Sequence, residues 1–574
     1  MQKTIVSRPA PASEAKLTAD LHPVLRRVYA CRGVQNDEEL DLGLGRLLPV
    51  ERMDVAFEAA RLLFQAMREQ RRILIIGDFD CDGATSTALS VLALRGMGAE
   101  QVDYLVPNRF EYGYGLTPEI VGLAASAYAP DLILTVDNGV SSVDGVAAAN
   151  RLGIQVVVTD HHLPGPVLPD AAAMVNPNLP DNGFPAKSTA GVGVVFYVLL
   201  ALRSLLRERG WFDERSEPNM GDHLDLLALG TVADVVPLEC NNRILVHQGL
   251  ARIRAGRCRP GITALLEVAG RNPRRAQASD LGFTVGPRLN AAGRLDDMSL
   301  GIECLLTEDP GRARELAAEL DQLNRDRRHI EDDMRQQAET LLETVMLKES
   351  DLPWGLCLYD DSWHQGVIGI VASRIKERHH RSVIAFAPGD DGEIKGSARS
   401  IPGVHIRDVL DEVAAGSPGL LLKFGGHAMA AGLTLETHRL DEFKELFNAV
   451  LHRRLDKDAF EAVIESDGEI AAEDMNLDLA YLVEQGGPWG QGFPEPVFHG
   501  EFEVIQQRQL QDKHWKLVVR PPGSNQVFDA IGFNLVRACP SPLPQRLLMA
   551  YQLDVNEFRG SINLQLRIAH MEAV

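Results

Sequence analysis

From about residue 70 the chain alternates short apolar runs with longer segments of helical spacing. In RRILIIGDFD the run Ile73–Ile76 predicts a strand. GATSTALSVLALRGMGA then predicts a helix, VDYLV a second strand and TPEIVGLAASA a helix. DLILTVDNG predicts a third strand, SSVDGVAAANRLG a helix and IQVVVTDHH a fourth strand. Apolar strands alternating with helices predict a parallel sheet covered on both faces.

Past residue 300 the texture changes. The stretch 309–349 has no Gly or Pro after Gly311, and Leu316, Leu320, Leu323, Ile330 and Met334 fall at helical spacing. Asp309 suits a cap and Pro310 a first turn. The helix would be a rod of roughly 55 Å, and its charge suggests an interdomain spacer rather than a core element. A second α/β region is expected over about 352–455. From about 485, HWKLVV, FDAIGF, LMAYQLDV and INLQLRI alternate and are separated by turn residues, as in a small β-barrel or sandwich. The fold class expected is α/β with a β tail.

Composition narrows the function. The 574 residues exceed one core, and about three or four domains are expected. The net charge of −22 excludes nucleic-acid binding by bulk attraction, so any such site is a local basic groove or a metal-loaded cleft. The stretch 251–276 carries seven arginines against Glu267 alone, and it reads equally as such a groove or as a solvated helical face. The start of the chain shows no apolar signal segment. The longest apolar run, Ala190 to Leu202, is too short to span a bilayer and predicts a buried helix. Seven cysteines without a CxxC pair suit a reducing cytoplasm. There is no Walker A motif and no GxSxG elbow.

The predicted strands share one feature: three of them deliver acid at their C-terminal ends. GDFDCDG brings Asp78, Asp80 and Asp82; TVDNG brings Asp137; TDHH brings Asp160, His161 and His162. The apolar stretch LDLLALGTVADVVPL brings Asp234. Ligands of parallel α/β sheets bind at the carboxyl ends of the strands, so these groups should converge. One such Asp is readily a cap or turn residue; the set is not. Five or six clustered carboxylates repel unless cations balance them. Oxygen ligands with one or two imidazoles suit Mn²⁺ or Mg²⁺, and two such ions form the usual device for phosphodiester hydrolysis. The metals are expected on Asp78, Asp80, Asp82, Asp137, His161 and Asp234. Asp137 should bridge from the central strand. Asp160 should orient the neighbouring histidine, and His162 joins the catalytic set without being counted a ligand. Cys81 should point away from the cluster. His379–His380 lies in a charged turn and reads as surface.

GDFDCDG, TVDNG, TDHH and GTVADVVPL, in that order, resemble the four motifs of the DHH phosphoesterase superfamily. PNRFEYGYGL, TAGVGVVF, GPRLNAAGRLDD, WHQGVIGIVASR, GSARS, FGGHAMAAG and GPWGQGFPEPVF are similar to stretches of its RecJ family, bacterial single-strand-specific 5′→3′ DNA exonucleases. The resemblance runs from about residue 50 to the end. It implies an N-terminal extension (1–50), a DHH domain (51–305), a long linker helix (306–348), a DHHA1 domain (349–457) and an OB-like domain (458–574) around a central groove. It implies single-stranded DNA with a 5′ end as substrate, release of mononucleotides, and work in recombination and repair. It further implies a single-strand-binding protein and a RecQ-type helicase as partners. A monomer is expected.

By the same resemblance Arg109, Arg288 and Asn290 lie near the scissile phosphate, with structural pairing to the excess acid as the alternative. Gly425, Gly426 and His427 offer close backbone approach and a donor to phosphate. Ser397 and Arg399 offer a hydroxyl and a two-pronged cation to a terminal 5′ phosphate, unless Arg399 pairs with Asp390 or Asp391. Trp489, Phe493, Trp515 and Phe533 of the tail either stack on bases or fill its core, and for Trp489 and Phe533 the core is expected. Two alternatives stand beside the exonuclease: a DHH–DHHA1 phosphodiesterase of short oligonucleotides or cyclic dinucleotides, whose members lack the OB tail, and a non-catalytic single-strand-binding replication scaffold.

Overall fold

The computed structural model describes residues 3–9, 11, 14, 16–53, 55–108, 112, 115–345, 353–389, 392–426, 428–455, 462–536, 539, 542–558 and 560–574. The chain forms two compact units, Met1–Val6 with Asn324–Glu465, and Ser7–Leu323 with Ser466–Val574. Strands β1 (Lys3–Ser7) and β12 (Ala462–Ser466) pair in a two-stranded sheet.

In the larger unit, β2 (Ile73–Gly77), β3 (Val102–Leu105), β4 (Leu132–Val136), β5 (Gln155–Thr159) and β6 (Ala173–Val175) form a parallel sheet of order β3-β2-β4-β5-β6. Every residue of β2 and β4 is buried, which is why both read as unbroken apolar runs. The three-residue β6 is too short to leave a sequence pattern. The helix Cys81–Gly96 after β2 is buried on nearly all sides. Three of its buried hydroxyls bond back along the helix: Thr85 Oγ1 to the Asp82 carbonyl, Thr87 Oγ1 to that of Gly83 and Ser90 Oγ to that of Ser86. The run from Ala190 forms the buried helix Gly191–Glu208. Among the described residues no helix is long and apolar enough to cross a membrane.

The same unit carries a closed barrel of order β13-β14-β15-β17-β16, built from β13 (Phe498–Leu510), β14 (His514–Arg520), β15 (Phe528–Gly532), β16 (Arg546–Phe558) and β17 (Ser561–Ala573). The segment leading into it is tied to the N-terminal helix Pro23–Cys31 and the residue after it. The Tyr29 ring stacks 6.1 Å from Trp489 and 6.3 Å from Phe493, and Arg32 donates two bonds to the buried Asp467 carboxylate at 2.8 and 2.9 Å. Trp489, Phe493 and Trp515 therefore belong to the packing of this unit. The core expectation for Phe533 is corrected: its ring is 52 % exposed, with His514 edge-on at 5.4 Å. It lies just past β15, where strand alternation no longer turns side chains inward.

The smaller unit holds a sheet of order β10-β11-β9-β8-β7, made of β7 (Gly355–Tyr359), β8 (Ser382–Pro388), β9 (Glu393–Arg399), β10 (Lys423–Gly426) and β11 (Ala430–Glu436). Only the β7–β8 pair is parallel.

The long helix runs Pro310–Val345, with the Asp309 carboxylate accepting from the Gly311 N–H at 2.8 Å. It is more than a spacer. Ala313, Leu316, Ala317 and Leu320 are buried in the core of the larger unit, and Met334, Ala338 and Leu342 in a core of the smaller one. The arginines of 251–276 are largely committed to structure: Arg252 to Asp222, Arg254 to the Ala276 carbonyl, Arg259 to Asp225 and His223, Arg271 to Asp280, and Arg275 to Glu557. Leu320→Ala should cost about 2–5 kcal/mol of unfolding free energy in denaturant titration. A loss under about 0.5 kcal/mol, as for an exposed spacer position, would contradict the core assignment.

Candidate metal centre

Each acid is placed by the way its element ends. Asp78 follows β2. Asp80 caps the Cys81–Gly96 helix, accepting from the Gly83 N–H at 3.0 Å. Asp82, in the first turn of that helix, accepts from the Gly191 and Val192 N–H groups at 2.6 and 3.0 Å. It therefore sits at a second helix N-terminus, where negative charge is favoured. Asp137 follows β4 with φ +63°, left-handed backbone that Asp tolerates better than most residues. Close approach is the reason for Gly191: a Cβ there would lie 2.6 Å from Asp137 Oδ1. Asp234 caps the C-terminus of the helix Leu224–Ala233, so the fourth motif delivers its acid from a helix end, not a strand end.

Asp160 follows β5 and is fully engaged by the protein. It accepts from the Val140 N–H at 2.8 Å, the His161 N–H at 2.7 Å and the His162 N–H at 3.1 Å, and its Oδ1 lies 2.7 Å from His162 Nδ1. The carboxylate thus folds the backbone after β5 and aims the His162 ring. His161 Nε2 lies 3.1 Å from Asp137 Oδ1, 3.4 Å from Asp234 Oδ2 and 4.0 Å from Asp82 Oδ2.

Three groups place their ligand atoms within 4.8 Å of one another: Asp78 with Asp80 and Asp137; Asp82 with His161 and Asp234; and Asp137 with His161 and His162. His162, left out of the expected ligands, thus belongs to a possible coordination group. Asp137 and His161 each occur in two groups. Burial pushes the Asp82 carboxyl up to about 7, helped by the Asp80 charge. Burial and neighbouring acids push Asp137 and Asp234 well above the ordinary carboxylate range. Asp160 goes the other way: burial raises it, but the His162 bond and charge and the backbone N–H donors outweigh that and lower it. His162 is pulled up to about 9; burial opposes this, and the Asp160 bond and charge prevail. Crowded oxygen donors with imidazole nitrogens fit hard divalent ions. Cys81 is buried in the apolar core.

One residue that motif reading passed over holds the site together. Asn138 Nδ2 donates to the Ile76 and Val136 carbonyls at 3.0 Å each, clipping the ends of β2 and β4. Asn290 Oδ1 accepts from the Cys81 N–H at 2.7 Å, so its helix, Gly286–Leu295, docks on the GDFDCDG loop. On that helix Arg288 donates to Asp321 Oδ1 at 2.9 Å through Nε and to the Thr284 carbonyl at 2.7 Å through Nη1. Structural pairing, the alternative weighed for it, is therefore present. Arg109 and His427 lie outside the described residues.

In the smaller unit Arg399 Nη1 donates to Ser397 Oγ at 3.1 Å and to the Ala398 carbonyl at 2.8 Å. Burial pulls the Arg399 guanidinium down, and its side-chain partners among the described residues are Ser397 and the Ala398 carbonyl, neither of them a carboxylate. Asp390 and Asp391 lie outside the described residues. Strand register aligns Ser397 with Gly432 and Gly432 with Gly425. A Cβ on Gly425 or Gly432 would meet nothing within 4 Å, so a glycine floor adjoins Ser397; Gly426, at φ +143°, ends β10.

Family models described as "DHH family, N-terminal domain", "DHHA1 domain" and "RecJ OB domain" match residues 72–231, 353–453 and 466–570. The single-stranded-DNA-specific exonuclease RecJ of Salmonella typhimurium is 54 % identical over 96 % of both chains. The chain belongs to the RecJ family. RecJ of Escherichia coli is likewise 54 % identical over 96 % of both chains. The crystal structure of Thermus thermophilus RecJ in complex with Mn²⁺ superposes with a TM-score of 0.82 at 30 % identity, covering all of this chain and 79 % of that one. Its Mg²⁺ complex gives 0.76.

In a RecJ-family site of this design, Asp160 is worth testing through the metal alone. Asp160→Asn should weaken Mn²⁺ binding, measured calorimetrically, by about 10- to 100-fold, the usual effect of losing a carboxylate that orients a ligand histidine. Unchanged affinity would contradict the orienting role.

Proposed function

We propose that the chain removes mononucleotides from the 5′ end of single-stranded DNA by metal-dependent hydrolysis, in DNA recombination and repair. The observation that carries this is the set of three ligand groups interlocked through Asp137 and His161. It stands in a chain more than half identical, over nearly its full length, to named single-strand-specific exonucleases.

In this proposal Asp78, Asp80 and Asp137 would hold one ion and Asp82, His161 and Asp234 the other, with Asp137 placed to be shared and His162, grouped with Asp137 and His161, as a further donor. Two divalent ions, Mn²⁺ or Mg²⁺, would when bound supply water activation and charge stabilisation at the phosphodiester. The protein does the rest. Asp160 fixes the rotamer of His162 through Nδ1. Gly191 and Val192 fix Asp82 through their N–H groups. Asn290 and Arg288 sit on the helix docked against the acidic loop, the side from which a scissile phosphate would be met, and the family resemblance assigns Arg109 the same task. The match to the RecJ OB domain speaks against a short-oligonucleotide phosphodiesterase, and the complete donor set against a non-catalytic scaffold.

The 5′ terminus is proposed to be read in the smaller unit by Ser397 and Arg399 over the floor of Gly425, with Gly426 and His427 contributing. A buried guanidinium without a described carboxylate partner supports an anion there. The proposed division is a DHH domain (51–305), linker helix (306–348), DHHA1 domain (349–457) and OB-like domain (458–574) behind an extension (1–50). A monomeric cytoplasmic protein, working with a single-strand-binding protein and a RecQ-type helicase, completes the proposal.

Asp137→Ala should fold as the parent does and lose hydrolysis by roughly a hundredfold or more, as when a transition-state contact is removed. A rate within about tenfold of the parent on a 5′-labelled single strand would contradict the bridging role. Arg399→Ala should reduce the preference for a 5′-phosphorylated over a 5′-hydroxyl strand. A charged hydrogen bond is worth about 1.5–3 kcal/mol, hence roughly 10- to 150-fold in binding. An unchanged preference ratio would place the terminal-phosphate site elsewhere.

A further inference from the structure

The most exposed large apolar side chain among the described residues is Phe283, at 80 %. Single exposed apolar residues are ordinary on soluble proteins. This one is not in an ordinary place. It lies in a π-helical turn, Leu281–Val285, whose other large apolar residues, Leu281 and Val285, are buried. Such turns are rare and frequently lie at functional sites. The turn packs on the last turn of the helix that ends in Asp234. A Cβ on Gly282 would lie 3.1 Å from Val232 Cγ1, and one on Gly286 would lie 3.1 Å from Ala233 Cβ. Val235, next to the Asp234 carboxylate, is itself 62 % exposed and has φ +61°, an unfavourable conformation for a β-branched residue. The Arg288 guanidinium donates to the Thr284 carbonyl at 2.7 Å, which ties the same turn to the helix over the acidic loop.

We propose that Phe283, on the turn packed against the helix that ends in Asp234, forms an apolar rim of the metal centre on which a nucleobase of the bound single strand stacks. The chemistry favours a base over a protein partner. The rim borders a site built for phosphodiesters, so any nucleotide held there must put its base somewhere close by. An enzyme that degrades arbitrary sequence needs a grip that does not read base edges. Stacking on an aromatic ring provides it, because every base has a π-face. The inference rests on the proposed placement of the strand beside Asp234 and Arg288.

The test uses the full chain, with EDTA present so that no cleavage competes. Fluorescence anisotropy measures binding of a 5′-phosphorylated single strand and of the same strand with abasic residues at its first three positions. Phe283→Ala should bind the intact strand roughly 5- to 150-fold more weakly. It should also lose much of the parent's preference for the intact over the abasic strand. Phe283→Trp should restore both. Mn²⁺ affinity, measured calorimetrically, should be the same in all three proteins. Because the comparison reads the base and not the phosphate, it stands or falls apart from the Arg288 assignment. Parent-like affinity of Phe283→Ala for the intact strand, or an undiminished preference over the abasic strand, overturns the proposal.

Discussion

Repulsion among buried carboxylates is the constraint on which this structure turns. Asp82 and Asp137 are buried and Asp234 is half-buried, and each lies in a group whose ligand atoms fall within 4.8 Å. Two unit charges about 4 Å apart repel by roughly 4 kcal/mol at an effective dielectric of 20. Several such pairs would be a large fraction of the stability of a domain. The protein offsets part of this with backbone N–H groups at helix starts, on Asp80 and Asp82, and with the His162 imidazole on Asp160. Divalent cations would reverse the sign of what remains.

Holding like charges together demands a stiff frame, and the fold supplies one. The acid-bearing strands lie in a parallel sheet whose β2 and β4 are wholly buried, and Asn138 fastens their ends to each other. Left-handed backbone at Asp137 and the missing side chain at Gly191 let the central carboxylate meet the neighbouring helix start. Asp160 takes no direct part in the two main groups, yet it folds the turn that presents both histidines. Rigidity of this kind is what a pair of metal ions needs, since ligand placement sets the distance between them.

The strands and the acids were legible because each contradicts its surroundings: apolar runs buried on both faces show no alternation, and charge at their ends has no packing reason. The docking of Asp234 at a helix end was not, since an apolar run of ten residues fits either element. The burial of Trp515 could have been read from its phase with Leu517 and Val519 along β14. Phe533 sits beyond a strand end, where phase carries no information. The long helix hid its core role because its apolar positions are few and each half serves a different core. Arg288 and Asp321 are 33 residues apart in sequence, and no local pattern joins them.

The central claim is that two divalent ions are held close enough to share Asp137. Electron paramagnetic resonance of the protein loaded with two equivalents of Mn²⁺ tests this without any substrate. A spin-coupled pair, distinct from the six-line signal of isolated ions, is the result the account predicts. Two magnetically independent ions, or binding of a single ion at saturation, would contradict it.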